Sequence, residues 1–204
     1  NFAQARNFST SKATSDWIFI LDADEAINPL DIDEIKSAVF EAPATTSSFS
    51  FTRRNYTEKP IGASWKSSEG DIYPESKIAP GYYEDDCIRL FRNNLDIIFD
   101  GKVHETITKS AKDAGNINVI GVPIHHYGHL KSNKEQKRSF YEQLYLLQEQ
   151  QCPTARIFWE HGCDLLSQGQ TTTSLSCFIK SVNQDKTFFP AWLSMANAYM
   201  IQGD

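Results

Sequence analysis

Two carboxylates set two residues apart, Asp22 and Asp24, close the apolar run Trp17-Ile18-Phe19-Ile20-Leu21. An unbroken run of that length reads as a strand buried on both faces, the pattern of a central strand in a parallel sheet. Side chains two apart on a strand point to the same side. Both carboxylates are therefore expected together at the carboxyl edge, where open α/β sheets bind ligands. Hard divalent cations such as Mg²⁺ or Mn²⁺ suit that place, because they take one or two carboxylates and complete their shell with water and phosphate oxygens. A nucleoside diphosphate would supply such oxygens. The alternative is a solvated turn leading into a helix, since Asn28-Pro29 forms an N-cap followed by Pro at the first helical position.

Further groups able to do chemistry are Glu84-Asp85-Asp86, His104-Glu105, and the histidines His125, His126 and His129. The segment starting at His104 is not a zinc-protease helix, because residue 108 is Thr where a second His is required. The three histidines come with no cysteine or carboxylate at zinc-ligand spacing. Lys137 and Arg138 could reach a phosphate or form a solvated helix face.

The elements that must position these groups follow from spacing. Residues 1 to 15 read as a helix, and Leu30, Ile32, Ile35, Ala38 and Val39 keep helical spacing to about residue 40. Strands are expected over Ser48 to Arg54, Cys87 to Phe91, Asp96 to Asp100 and Asn118 to His126. The Pro-, Gly- and Ser-bearing segment from Glu58 to Gly81 reads as a long functional loop. An amphipathic helix is expected from about Asn133 to Gln150, with Phe140, Leu144 and Leu147 on one side.

Beyond Pro153 the pattern is wholly helical. A shift of 34 positions pairs Phe158 with Trp192, Gly162 with Ala196, Leu165 with Tyr199 and Gly169 with Gly203, which is the tetratricopeptide period. Gly162 and Ala196 are expected in equivalent tight helix contacts. The consensus Pro near the repeat's end is replaced by Lys186.

With 40% hydrophobic and 23% charged residues, the 204-residue chain has enough apolar material for a core. A net charge of −6 argues against a nucleic-acid partner, which needs clustered Lys and Arg. No run approaches the roughly 20 apolar residues of a membrane span. Four cysteines without a CxxC pair point to buried reduced thiols and a reducing, cytoplasmic compartment. The absence of an initiator Met and the stop just after a helical pattern suggest a piece of a longer protein.

Ala5-Arg6-Asn7, Trp17 through Glu25, Arg89-Leu90-Phe91-Arg92, Phe99-Asp100-Gly101-Lys102-Val103-His104-Glu105 and His126-Tyr127-Gly128 together resemble the ordered blocks of a family 2 glycosyltransferase of the GT-A fold. The similar subgroup carries tetratricopeptide repeats after the catalytic domain. The resemblance implies an α/β fold class: a partial GT-A, Rossmann-like domain over residues 1–150, short of its nucleobase-binding start, then an all-α tetratricopeptide-type region over 154–204. It implies that Asp24 binds a divalent metal (Mn²⁺ or Mg²⁺) bridging the diphosphate of a nucleotide sugar. Asp22 would touch the ribose or the metal's water shell, Arg6 and Asn7 would lie near the nucleotide sugar, and His126 would be a third ligand or a diphosphate contact. Without the family, Arg6 reads as a surface ion pair, Asn7 as a helix polar face and His126 as a strand histidine held by a backbone carbonyl.

Such enzymes invert the anomeric centre, so a carboxylate must take the acceptor's proton. Glu105, beside His104, is the expected base, with Asp85 and Asp86 as rivals. The partners implied are a nucleotide-sugar donor, an acceptor glycan, lipid or protein, and a protein bound through the helical repeats. Two other classes compete. Phosphoryl transfer of the haloacid dehalogenase type also uses Asp-x-Asp after an apolar strand, but favours Thr or Val where Ala26 stands. The other is a catalytic fold reduced to a binding scaffold.

Overall fold

Alternate residues along the strands sort into two apolar clusters, and that sorting builds the first of two compact units, Asn1–Asn133. The protein is described from a computed structural model, which describes residues 1–60, 64–101, 104–130 and 134–203, with backbone alone for 134–140. The side chains of Lys102, Val103, Lys137, Arg138 and Phe140, named from the sequence, lie outside the described residues.

In chain order the unit holds α1 (Phe2–Thr10), β1 (Trp17–Phe19), β2 (Glu25–Ala26), α2 (Ile32–Glu41), β3 (Thr46–Thr57), β4 (Lys66–Ser67), β5 (Gly81–Arg92), α3 (Thr108–Ala114) and β6 (Asn116–His126). The sheet runs β1-β5-β3-β6-β2, with β4 beside β5. Phe49, Phe51, Leu90, Ile120, Val122 and Ile124 cluster with Ile35 of α2. Phe91, Ile97, Phe99 and Ile107 cluster with Ala3 of α1 and Ala111 of α3. Helices thus cover both faces, and each fully buried Phe contributes about 1.5–3 kcal/mol of apolar burial.

Residues 17–20 of the apolar run are packed on both sides, whereas Leu21 is exposed. Trp17 and Phe19 meet the first cluster, Ile18 and Ile20 the second. Its pairing departs from expectation: β1 is antiparallel to β5 and ends the strand order, while the parallel pair is β3 with β6. A continuous apolar run reports two covered faces and carries no information on strand direction.

Other boundaries shift for local reasons. The first helix stops at Thr10. Residues 96–100 form no strand; Asp96 sits at φ 49°, and only a bridge from Asp100 to Thr106 remains. Ile97 and Phe99 are buried all the same, which is why their spacing mimics a strand. The seven-residue α3 buries only Ala111 and so shows no apolar period. Asn28 caps as expected, its Oδ1 accepting from the Leu30 N–H at 2.9 Å.

The second unit, Lys134–Asp204, holds α4 (Lys134–Gln151), α5 (Ala155–Ser167), α6 (Thr171–Gln184) and α7 (Phe189–Gln202). By its contacts α4 groups with the helices that follow it. Among its described side chains, those of residues 141–151, Tyr145 and Gln148 are buried, whereas Leu147 is exposed. The helix is turned toward α5, where the Tyr145 ring stacks on His161 at 4.9 Å. Between residues 154 and 203 the regular structure is the helices α5, α6 and α7, as expected, with Leu175, Phe178 and Ala198 clustered among them. Gly162 lies against α6, but its counterpart Ala196 is exposed, and α7 buries Ala191 and Ala198 instead. Gly162 has a following helix to receive it, whereas no helix among the described residues follows α7.

A Cβ on Gly162 would come within 2.5 Å of the buried Phe178 ring and 3.2 Å of the Cys177 Cβ. Gly162→Ala is therefore expected to destabilise the helical unit by overpacking, by about 1–3 kcal/mol. Urea unfolding measures this, and an unchanged midpoint would show that α5 and α6 do not meet at residue 162.

Candidate active site

The sheet face that carries Phe49 and Phe51 continues along β3 to Arg53 and Asn55, and on β6 Ile120, Val122 and Ile124 lead to His126. Period-two alternation holds while the core ends, so the apolar face runs into a polar row. Strand register fixes its members. Arg53 stands opposite Asp85, Asn55 opposite His126, and His126 opposite Glu25.

Arg89 enters through an irregularity. The β3–β5 pairing steps from Phe49↔Leu90 to Ser50↔Ile88, which leaves Arg89 without a cross-strand position on β3. A bulge of this kind re-aims a side chain, and here Arg89 turns to Asp22 and Glu25.

Asp22 and Asp24 come from a turn rather than from strand alternation, which corrects the reading of their placement. β1 ends at Phe19, the Glu25 N–H donates to the Asp22 carbonyl at 2.9 Å, and Glu25 begins β2. The turn sends the two carboxylates to different partners. Asp22 Oδ1 accepts from Arg6 Nη2 at 2.5 Å, and Oδ2 from Arg89 Nη2 at 3.0 Å. Asp24 Oδ1 lies 3.7 Å from His126 Nε2. Both Asp22 oxygens are thus taken by guanidinium groups, whereas Asp24 faces His126.

The charges form one chain. Glu105 pairs with Arg6, Arg6 with Asp22, Asp22 with Arg89, Arg89 with Glu25, Glu25 with Arg53 at 3.4 Å, and Arg53 with Asp85 at 2.6 Å. Asn55 donates to Asp85 Oδ1 at 2.9 Å, and its own Oδ1 lies 2.8 Å from His126 Nδ1. The Glu25 side chain is 0% exposed. Sequence reading missed Glu25, Arg53, Asn55 and the role of Arg89. Continuing the Phe49, Phe51, Arg53 alternation to Asn55 would have found two of them.

Glu105 is presented by the Asp100–Thr106 bridge, two backbone hydrogen bonds of 3.0 and 2.9 Å. His104 beside it is exposed at φ 51°. Asn7 does not face the site: its Nδ2 donates to the Phe99 carbonyl at 2.9 Å and its Oδ1 accepts from the Phe99 N–H at 2.8 Å. It ties α1 to the 96–100 segment. The histidines also divide. His125 is buried, with Nδ1 2.7 Å from the Tyr56 hydroxyl, whereas the His126 and His129 rings are 5.3 Å apart. Adjacent strand residues point to opposite faces, which separates His125 from His126.

Burial pushes the Asp22 carboxyl up, but the Arg6 hydrogen bond and the charges of Arg89, Arg6 and Arg53 hold it below its ordinary value. At Asp85, Arg53 likewise outweighs burial. Burial, then the charge of Arg53, lowers His126 below its ordinary value. Asp86 is exposed.

This mixed α/β sheet of six strands, with charged groups gathered at one end of its central strands, agrees with a partial GT-A domain. The family model for glycosyl transferase family 2 matches residues 1–102, half of the chain. The chain belongs to glycosyltransferase family 2. Membership implies transfer of a sugar from a nucleotide-sugar donor to an acceptor. No curated protein matches the sequence. No helix among the described residues is long and apolar enough to cross a membrane.

The Asp22 and Asp85 carboxyls are depressed below the ordinary value of 3.8. The unfolded chain then binds these protons more readily, so their stabilisation is present above that value and lost as pH falls through the native pKa values. The urea midpoint should fall below about pH 4, and Asp85→Asn should flatten part of that fall. Identical pH profiles for the two proteins would contradict the pairing of Asp85 with Arg53.

Proposed function

We propose that the first unit performs metal-assisted, inverting transfer of a sugar from a nucleoside-diphosphate sugar to an acceptor hydroxyl or other nucleophile. The observation that carries this reading is the space beside Asp24 and His126. A Cβ on Gly128 would stand 2.5 Å from His126 Nε2 and 2.9 Å from Asp24 Oδ2. Glycine therefore leaves open a place where a carboxylate oxygen and an imidazole nitrogen face each other. A carboxylate, an imidazole and phosphate oxygens fit Mn²⁺ or Mg²⁺. Asp24 and His126 would hold it, with Asn55 fixing the His126 ring from its other nitrogen. When bound, such an ion stabilises the charge that develops on the departing diphosphate.

The chain's own residues do the rest. Arg6 and Arg89, braced by Asp22, offer positive charge to the donor's phosphates. Glu105 takes the proton of the acceptor nucleophile as that atom bonds to the anomeric carbon and the bond to the diphosphate breaks, with inversion. Without donor, Arg6 occupies Glu105; a phosphate that draws Arg6 away leaves Glu105 free to accept a proton. Asp85 is the poorer base, because Arg53 and Asn55 stabilise its ionised form. The helices over 154–204 are read as tetratricopeptide-type packing that offers a surface to a protein partner, supported by the Gly162 contact. All four cysteines are free, which suits a reducing compartment such as the cytoplasm.

Asp24→Ala or Gly128→Ala should abolish Mn²⁺-dependent nucleoside diphosphate binding, measured by titration calorimetry, with the far-ultraviolet spectrum unchanged. Wild-type curves for both variants would overturn the cation site. Glu105→Gln in the complete protein should lower transfer by about 10²–10⁴-fold with donor affinity intact, as loss of a general base does. If Asp85→Asn has that effect and Glu105→Gln does not, Asp85 is the base.

A further inference from the structure

The helical unit buries a second group of metal-ligating side chains, remote in sequence from the family match and independent of the transferase reading. Glu149 of α4, His161 of α5 and Cys177 of α6 place one ligand atom each within 4.8 Å of one another. His161 is 6% exposed and Cys177 4%. His161 Nδ1 is the focus: Glu149 Oε1 lies 2.5 Å from it and Cys177 Sγ 3.9 Å. Because both partners meet the same ring nitrogen, the three do not form a nucleophile–base–orienter relay, which needs opposite nitrogens. They converge on one point instead.

We infer that Glu149, His161 and Cys177 form a binding site for a borderline-soft divalent cation, Zn²⁺ by ligand chemistry, with the fourth position left to water or a small donor. Thiolate and imidazole select zinc over magnesium or manganese, which take oxygen ligands. The spacing is near what a tetrahedral ion requires. Zn–S and Zn–N bonds of about 2.3 and 2.0 Å set sulfur and nitrogen about 3.5 Å apart. The Glu149–His161 contact must open by less than about 1 Å, since it is now closed by a proton where the ion would sit. On binding, the thiol proton leaves to solvent and the shared proton leaves Nδ1.

The surroundings hold the ligands for this purpose. The Tyr145 ring stacks on His161 at an interplanar angle of 7°, fixing the imidazole plane. Lys180 Nζ lies 3.5 Å from Glu149 Oε2, which engages that oxygen and leaves Oε1 toward the histidine. Gly162, next to His161, lets α5 approach the Cys177 Cβ. Partners that orient the ligands in this way accompany metal sites.

The test uses the whole 204-residue chain with excess Mg²⁺ present. Zinc titration calorimetry should show one Zn²⁺ per chain, and Co²⁺ in its place should give a thiolate-to-cobalt band in the near ultraviolet. Both should persist in Asp24→Ala and Cys163→Ser. Cys177→Ser should remove the band, and Cys177→Ser or His161→Gln should weaken zinc by at least about tenfold, equivalent to 1.4 kcal/mol. Should Cys177→Ser fail to fold, Glu149→Gln, which keeps the side-chain shape, must show the same weakening. No cobalt–thiolate band, wild-type zinc affinity in these variants, or zinc binding lost in Asp24→Ala would overturn the site.

Discussion

A carboxylate whose side chain is wholly buried, Glu25, governs the architecture of the first unit. Removing a carboxylate from water costs several kcal/mol unless partners of opposite charge meet it in good geometry. Glu25 has two, Arg89 and Arg53. Each is supplied by a different feature of the sheet: Arg53 by the alternation of β3 and Arg89 by the irregularity in β5. Both guanidinium groups then have hydrogen-bonding capacity to spare. Arg53 turns it to Asp85 and Arg89 to Asp22, and Asp22 in turn holds Arg6 against Glu105. The position of the candidate base thus depends on a buried charge several links away.

The same arrangement divides labour between Asp22 and Asp24. Asp22 is consumed in bracing arginines, which keeps their positive charge at fixed positions. Asp24, whose backbone carbonyl accepts from the Tyr127 N–H at 2.9 Å, is held beside the end of β6 and so beside His126. One turn therefore gives its two carboxylates different surroundings, Asp22 among arginines and Asp24 beside a histidine.

Much of this was legible in the residues. The apolar run at 17–21, the Asn28 cap and the helices beyond 154 show themselves through composition and period, which are local properties. The direction of β1, the fate of residues 96–100 and the partners of Asn7 are set by contacts between segments far apart in sequence. Asn7 and Phe99 are 92 residues apart, and no spacing rule reaches that far. Arg89 was visible as a member of a block, but its role depends on a missed cross-strand position that exists only once β3 and β5 pair. The polar cluster at Glu149, His161 and Cys177 was hidden because α4 was read by its leucines, whereas packing turned Tyr145 inward.

The central claim is that Glu25 and its arginines hold the site together, and a double-mutant cycle measures it. Arg89→Met and Glu25→Leu alone each break a buried pair and should cost about 3–5 kcal/mol in urea unfolding. Together they remove both charges, so the double variant should be more stable than the sum of the singles implies, by more than about 1 kcal/mol. Additivity within about 0.5 kcal/mol would show that the two side chains do not depend on each other, and would contradict the account.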